Sequence, residues 1–143
     1  MGLVSTSAAA DVPAQSLLSE GRVDVAIADL EQHLRTQPND AQAYHLLCRA
    51  HYSLQQWDKA ISAAQKAVAL DPDNSDYHLW LGRAYGEKAV HSSWFAAIGL
   101  ARKVRSEFET SVQLDSRNVA AQSDLAEFYM EAQIGRASCR ERV

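Results

Sequence analysis

The stretch AQAYHLLCRAHYSLQQWDKAISAAQKAVALDPDN, residues 41–74, decides the fold of this chain, because the segment that follows from Ser75 begins again in the same register. The period is 34 residues: it separates Pro38 from Pro72, Ala26 from Ala60, Leu47 from Leu81, and Leu30 from Ala64. A fixed period of this length marks a stacked-repeat architecture, in which each unit buries its apolar face only against its neighbours. Inside the unit the pattern is helical. Ala60, Ile61, Ala64, Ala67 and Val68 fall at i, i+1, i+4, i+7 and i+8, one stripe on one helix face. Units stop at Gln37-Pro38, Asp71-Pro72 and Asp115-Ser116, since proline disfavours helix in the residue before it. Ser116 lacks that constraint, so the third stop is expected to be softer. No run alternates like a strand, and the fold class is all-α.

Small residues recur where paired helices must approach. Cys48, Gly82 and Ala126 share one register position, and Ala26 and Ala60 share another. Tyr52, Tyr85 and Tyr129 supply bulk beside them. Three register strings follow from this: Tyr44-x-x-Leu47-Cys48-x-x-His51 with Ala60-x-x-x-Ala64-x-x-Ala67, then His78-x-x-Leu81-Gly82-x-x-Tyr85 with Phe108 and Leu114, then Gln122-x-x-Leu125-Ala126-x-x-Tyr129. Together they resemble the tetratricopeptide repeat family from Leu17 to about Gln133. The resemblance implies tandem helix-turn-helix units wound into a right-handed superhelix. The units run about 7–40 (degenerate, recognisable through Gly21, Ala26, Leu30 and Pro38), 41–74, 75–118 and an incomplete 119–133.

Both ends depart from the pattern. After Gln133 the apolar stripe vanishes: the small position falls on Ser138 and the next apolar one on Arg142. Back-translated, residues 134–143 fit a sequencing-adapter read-through. Native sequence is therefore expected to end near Gln133, with the chain a fragment of a longer protein. That tail brings Arg136, Arg140 and Arg142 against Glu141, so the remainder is more acidic than the net −4 of the whole. Residues 1–15 are rich in Ala, Ser and Thr, with neither the basic nor the apolar segment of an intact signal peptide. The compartment, cytoplasmic or periplasmic, stays open. Residues 12–19 are expected to form the first helix, with Gly21 as its stop.

In the family the first helix of each unit lines a concave groove. The resemblance carries its exposed positions onto Gln42, His45, Arg49, Tyr52 and Ser53, onto Asp76, Leu79, Arg83 and Glu87, and onto Ser123, Glu127, Met130 and Glu131. Arg49 and Arg83 hold one position in adjacent units and should form a basic ridge suited to a partner carboxylate. Some family members clamp a chaperone's C-terminal carboxylates with Lys and Asn; here those positions read His45 and Arg49, with Leu46 and Trp80 nearby, and the clamp is not recognisable.

The third unit is ten residues too long, the excess lying around residues 89–100. Ser92 or Ser93 is a candidate N-cap. Shared equally, five residues per helix would project roughly 7 Å beyond the array, with Trp94 and Phe95 near the tip. These aromatics could anchor a partner, contact a membrane surface through the following Arg102, Lys103 and Arg105, or pack on a neighbouring helix or on a lost downstream repeat.

The remaining motifs argue against chemistry. His45, Cys48 and His51 are spaced by three, which leaves the outer pair out of line on a helix. Asp71, Asp73 and Asp76 lack the glycine and terminal glutamate of a calcium loop and are better read as a capping turn. No GxSxG, Walker or dinucleotide string occurs. Acidity argues against nucleic acid, and the two cysteines give no disulfide framework. The expected function is a protein or peptide scaffold, non-enzymatic and without cofactor or metal, with membrane contact not expected. The alternative is a helical accessory region of a larger enzyme or an envelope or export assembly factor. A small-ligand or lipid binder would need an apolar pocket.

Overall fold

The computed structural model describes residues 8–140, with side chains described for residues 14–134. Within them lie seven helices and no strand: α1 Ala8–Ser19, α2 Val23–Thr36, α3 Ala41–Ser53, α4 Trp57–Leu70, α5 Ser75–Val90, α6 Trp94–Leu114 and α7 Val119–Arg140. Consecutive helices pair as hairpins. In addition α1 meets α3, α3 meets α5 and α5 meets α7, whereas α2, α4 and α6 do not approach one another. One row of helices is thus closer together than the other, which curves the stack and makes α1, α3, α5 and α7 its inner, concave layer.

The helix starts have a common device. Asp40 accepts a hydrogen bond from the Ala43 amide (3.1 Å), Asn74 from the Asp76 and Tyr77 amides (3.0 and 3.4 Å), and Asn118 from the Ala121 amide (3.1 Å). Each satisfies amides that the first helical turn leaves without an intrahelical partner. The cap in the second turn is therefore Asn74, not one of the neighbouring aspartates. Residue Ser93 has the extended backbone of an N-cap before α6, but its side chain makes no capping bond. The third stop is as sharp as the second: α4 ends one residue before Asp71 and α6 one residue before Asp115. There the Asp115 side chain accepts from the Arg117 amide (2.9 Å), doing with a hydrogen bond what proline does by sterics elsewhere.

Turns inside the hairpins also repeat. Gly21 and Gln55, one period apart, both have left-handed backbone, at φ 76° and 58°. Glycine adopts this freely, while a side chain at that φ costs about 1–2 kcal/mol. One period further on stands Ala89, and there is no turn: α5 runs on to Val90. This is where the ten extra residues enter. They are divided unequally, since α5 has 16 residues against 13 in α3, and α6 has 21 against 14 in α4. At 1.5 Å per residue the two helices project roughly 4.5 and 10 Å past the array.

The core follows the small positions. Cys48, Ala26 and Ala60 are fully buried. At Gly82 a Cβ would stand 2.6 Å from the Phe108 ring, so the α5–α6 hairpin closes on a position that tolerates hydrogen alone. Ala126, the third residue of that series, is exposed, as no described helix packs on the far side of α7. The helical backbone of α7 continues unbroken past Gln133; the side chains of residues 135–140 and all of residues 141–143 lie outside the described residues. So do residues 1–7 and the side chains through Pro13, where the leader reading falls. Among the described residues no helix is long and apolar enough to cross a membrane.

Tyr85 is buried between the helices, with its hydroxyl accepting from Gln65 Nε2 at 3.0 Å. Tyr85→Ala should lower stability by about 3 kcal/mol, the scale of truncating a buried aromatic. Urea unfolding followed by circular dichroism measures it, and a loss below about 0.5 kcal/mol, the range of neutral surface changes, would contradict this packing.

Candidate functional site

The inner layer centres on a residue with little prominence in the sequence, Trp80. Residues three or four apart share a helix face, so Trp80 and Arg83 project together from α5, opposite Arg49 and Tyr52 of α3. The half-buried indole carries a guanidinium on each side: Arg49 lies 5.2 Å and Arg83 5.0 Å from the ring centroid. Tyr52 meets it edge-on at 5.4 Å and His45 at 6.2 Å. Stacking of a cation on an indole contributes about 0.5–2 kcal/mol according to exposure, so the platform is held rigid before any partner arrives.

The expected groove residues divide into three groups. His45 and Leu79, which share one register position, are buried at 7% and 2% exposure, contrary to the exposed placement read from the sequence. For His45 the cause is the neighbouring inner helix, whose Tyr77 ring lies 4.9 Å away. Burial, with Arg49 adding to it and Asp76 opposing, pulls the His45 imidazole from 6.5 down to about 4. It is neutral at physiological pH and carries no charge for a clamp.

A second group faces the groove but is already engaged. Gln42 accepts from the Tyr77 hydroxyl at 3.0 Å, and Glu87 accepts from the Tyr52 hydroxyl at 3.3 Å. Burial and the Glu87 carboxylate push Tyr52 up to about 12. Arg83 binds Asp124 of α7 through Nε (2.6 Å) and a second guanidinium nitrogen (3.3 Å). The basic ridge read from Arg49 and Arg83 is therefore half neutralised, because Asp124 claims Arg83. Asp76, in the first turn of α5, accepts at 2.9 Å from Nδ2 of Asn118, which lies in the loop joining α6 to α7. A third group is exposed: Ser53, Ser123, Glu127, Met130 and Glu131.

Trp94 and Phe95 occupy the tip of the long hairpin, stacked edge to face with centroids 5.0 Å apart and exposed by 71% and 81%. Most of both rings is uncovered among the described residues. His51 turns away from His45, donating from Nδ1 to Gln56 Oε1 at 2.8 Å. Among the described residues no three His, Cys, Asp or Glu side chains converge in a metal-holding group. Burial raises the Cys48 thiol to about 12, as suits a packing residue.

The helix pairs, the closed glycine position and the inner layer are the geometry of a known repeat, and residues 17–79 match the family model of the tetratricopeptide repeat. Residues 17–79 carry the tetratricopeptide repeat, and the whole array has that fold. Past residue 79 the likeness is one of fold. A thermophilic tetratricopeptide repeat protein of Thermus thermophilus superposes with TM-score 0.76 at 21% identity over 85% of this chain, which spans 62% of that protein's length. The first such domain of human RPAP3 gives 0.74 at 18% identity, covering 90% of this chain and 93% of that one. A structure of the first repeat domain of Spaghetti (RPAP3) bound to the HSP90 peptide SRMEEVD gives 0.73 at 18% over 86% of this chain and 90% of that one. No curated protein matches the sequence.

Asp124 and Tyr77 are site residues the sequence reading passed over, and Trp80, noted only as a neighbour of the clamp positions, was not assigned to the groove. The signal for Trp80 was available: it stands three residues before Arg83 on a helix whose face was already assigned to the groove. Asp124 was harder, since its partner lies 41 residues away, across the lengthened unit.

His45 yields a pH prediction with a definite sign. The unfolded histidine takes up a proton near pH 6.5, while the folded one resists it down to about pH 4. Stability should therefore fall as pH drops through that window, by about 3 kcal/mol in total at 1.36 kcal/mol per unit, and His45 should contribute no further loss below it. Urea midpoints for the native chain and His45→Gln at pH 7, 5.5 and 4 test this; parallel pH profiles would contradict it.

Proposed function

We propose that this array is a protein-interaction scaffold whose inner layer receives a peptide segment of a partner across the Trp80 platform. The observation that carries the reading is the rigid, half-exposed indole between Arg49 and Arg83 at the centre of the concave face. Preorganised aromatic and arginine side chains at the middle of a surface are the groups that dominate interface energetics, and a platform fixed in advance loses little entropy on binding. Support also comes from fold neighbours that hold peptides: Spaghetti (RPAP3) with SRMEEVD, and the second repeat domain of human RPAP3 with the HSP70 peptide SGPTIEEVD. Gln42, Tyr52, Asp76, Glu87 and Glu127 flank the platform, and His45 and Leu79 support it from beneath. The reading involves no catalysis, metal or cofactor.

The exposed Trp94–Phe95 pair supplies a second handhold, lifted clear of the array by the longer α6. Its chemistry suits a partner that spans both the concave face and the hairpin tip.

Peptides selected against the whole chain from a displayed random library test the groove. Trp80→Ala or Arg49→Glu should weaken a selected peptide at least tenfold in calorimetry, with the outer-face change Lys66→Glu neutral; equal binding by all three variants would sink the reading. Replacing both Trp94 and Phe95 by Ala should shift stability by less than about 0.5 kcal/mol, as expected for exposed side chains, while reducing capture of a full-length partner. A large fall in melting temperature would instead make the pair structural.

A further inference from the structure

Where α7 diverges from the long hairpin, an open cleft of about 610 Å³ remains between α5, α6 and α7. That volume lies in the range of clefts that take a ligand, roughly 300–1,000 Å³. The insertion builds it. Ala89, Val90 and Ala97, all among the extra residues, form a wall of short side chains, and α7 stands off from them instead of closing the gap. The floor is apolar, made by Gly86, Val104, Phe108 and Phe128.

Its rim has one dominant sign. Glu87, Asp124, Glu127 and Glu131 all line it, against the single cation Arg83, which Asp124 already binds. Glu127 and Glu131 lie one turn apart on α7, exposed, and neither forms an ion pair among the described residues. Like charges at that spacing repel, and a cation set between them relieves the repulsion while an apolar side chain fills the floor.

We propose that this cleft docks a partner segment carrying a large apolar side chain flanked by lysine or arginine. The apolar group enters between the hairpin and α7, and the flanking cation meets Glu127 and Glu131. The inference rests on the inner layer being an interaction surface and assigns it a partner chemistry opposite to an acidic tail. Electrostatic complementarity of this kind sets specificity and association rate more than affinity alone.

The test uses the full chain and three labelled synthetic peptides: acetyl-KKFLKK-amide, acetyl-EEFLEE-amide and acetyl-KKSSKK-amide, read by fluorescence anisotropy. The lysine–apolar peptide should bind at least tenfold tighter than either of the others. Glu127→Lys with Glu131→Lys should weaken it tenfold or more, and Ala97→Trp, which fills the cleft, should weaken it similarly. Asp29→Lys with Glu31→Lys makes the same charge change on exposed α2 and should leave binding within twofold; circular dichroism confirms that each variant is folded. Equal binding of the serine peptide, unaltered binding by Ala97→Trp, or equal losses from the α2 pair would overturn the proposal, reducing it to general charge attraction. A sedimentation dimer dispersed by Ala97→Trp would overturn it in favour of a second copy of the chain. Should the lysine–apolar peptide fail while library-selected peptides still depend on Trp80, this inference falls and the groove reading stands; if the selected peptides also ignore Trp80, both fall.

Discussion

The array depends on how closely the two helices of a unit can approach, and at Gly82 that approach leaves no room for a carbon atom. The Phe108 ring occupies the space a Cβ would need, so the α5–α6 hairpin is set by one bulky residue received by one absent side chain. Cys48 repeats the arrangement with a small, inert thiol. Interiors packed to crystal-like density transmit such constraints. The tilt of each pair fixes where its inner helix meets the next, and thereby whether Trp80 faces Arg49 across the boundary between units. Groove geometry is thus decided on the side of the helix that no partner touches.

The sequence made the repeat legible because its punctuation is local. Pro38, Pro72, Gly21 and the small positions each act through their own backbone or an immediate neighbour, so a period could be read from them directly. Burial inside the inner layer was not legible on those terms. His45 and Leu79 hold a position that a single helix presents to solvent, and in the case of His45 only the ring of Tyr77, 32 residues on, covers it. Charge compensation was hidden for the same reason. Nothing near Arg83 in sequence says that Asp124 will neutralise it, since the pairing spans a unit lengthened by the insertion. The insertion itself was visible as ten surplus residues, but its unequal division depended on Ala89 remaining helical where Gly21 and Gln55 turn.

That missing turn links the fold to the two features most particular to this chain. By carrying α5 onward it forces α6 to start further out, which exposes Trp94 and Phe95 at the tip. It also leaves short side chains facing α7, which opens the cleft beside the platform. A conventional unit would have closed both. One change in backbone geometry thus supplies an aromatic tip and an acidic-rimmed hollow on a scaffold otherwise built for uniform stacking.

The outer helices α2, α4 and α6 do not approach one another, while the inner ones do. Mechanically this is a spine whose outer struts are not laced to one another. Each outer helix is instead held through the inner helix of the next unit, as Gln65 of α4 is by Tyr85 of α5, so units are coupled through the inner row and not across the back. Arg49, Trp80, Arg83 and Asp124 form one continuous chain of contacts through three successive inner helices, so the relative placement of α3, α5 and α7 is written into a single row of side chains.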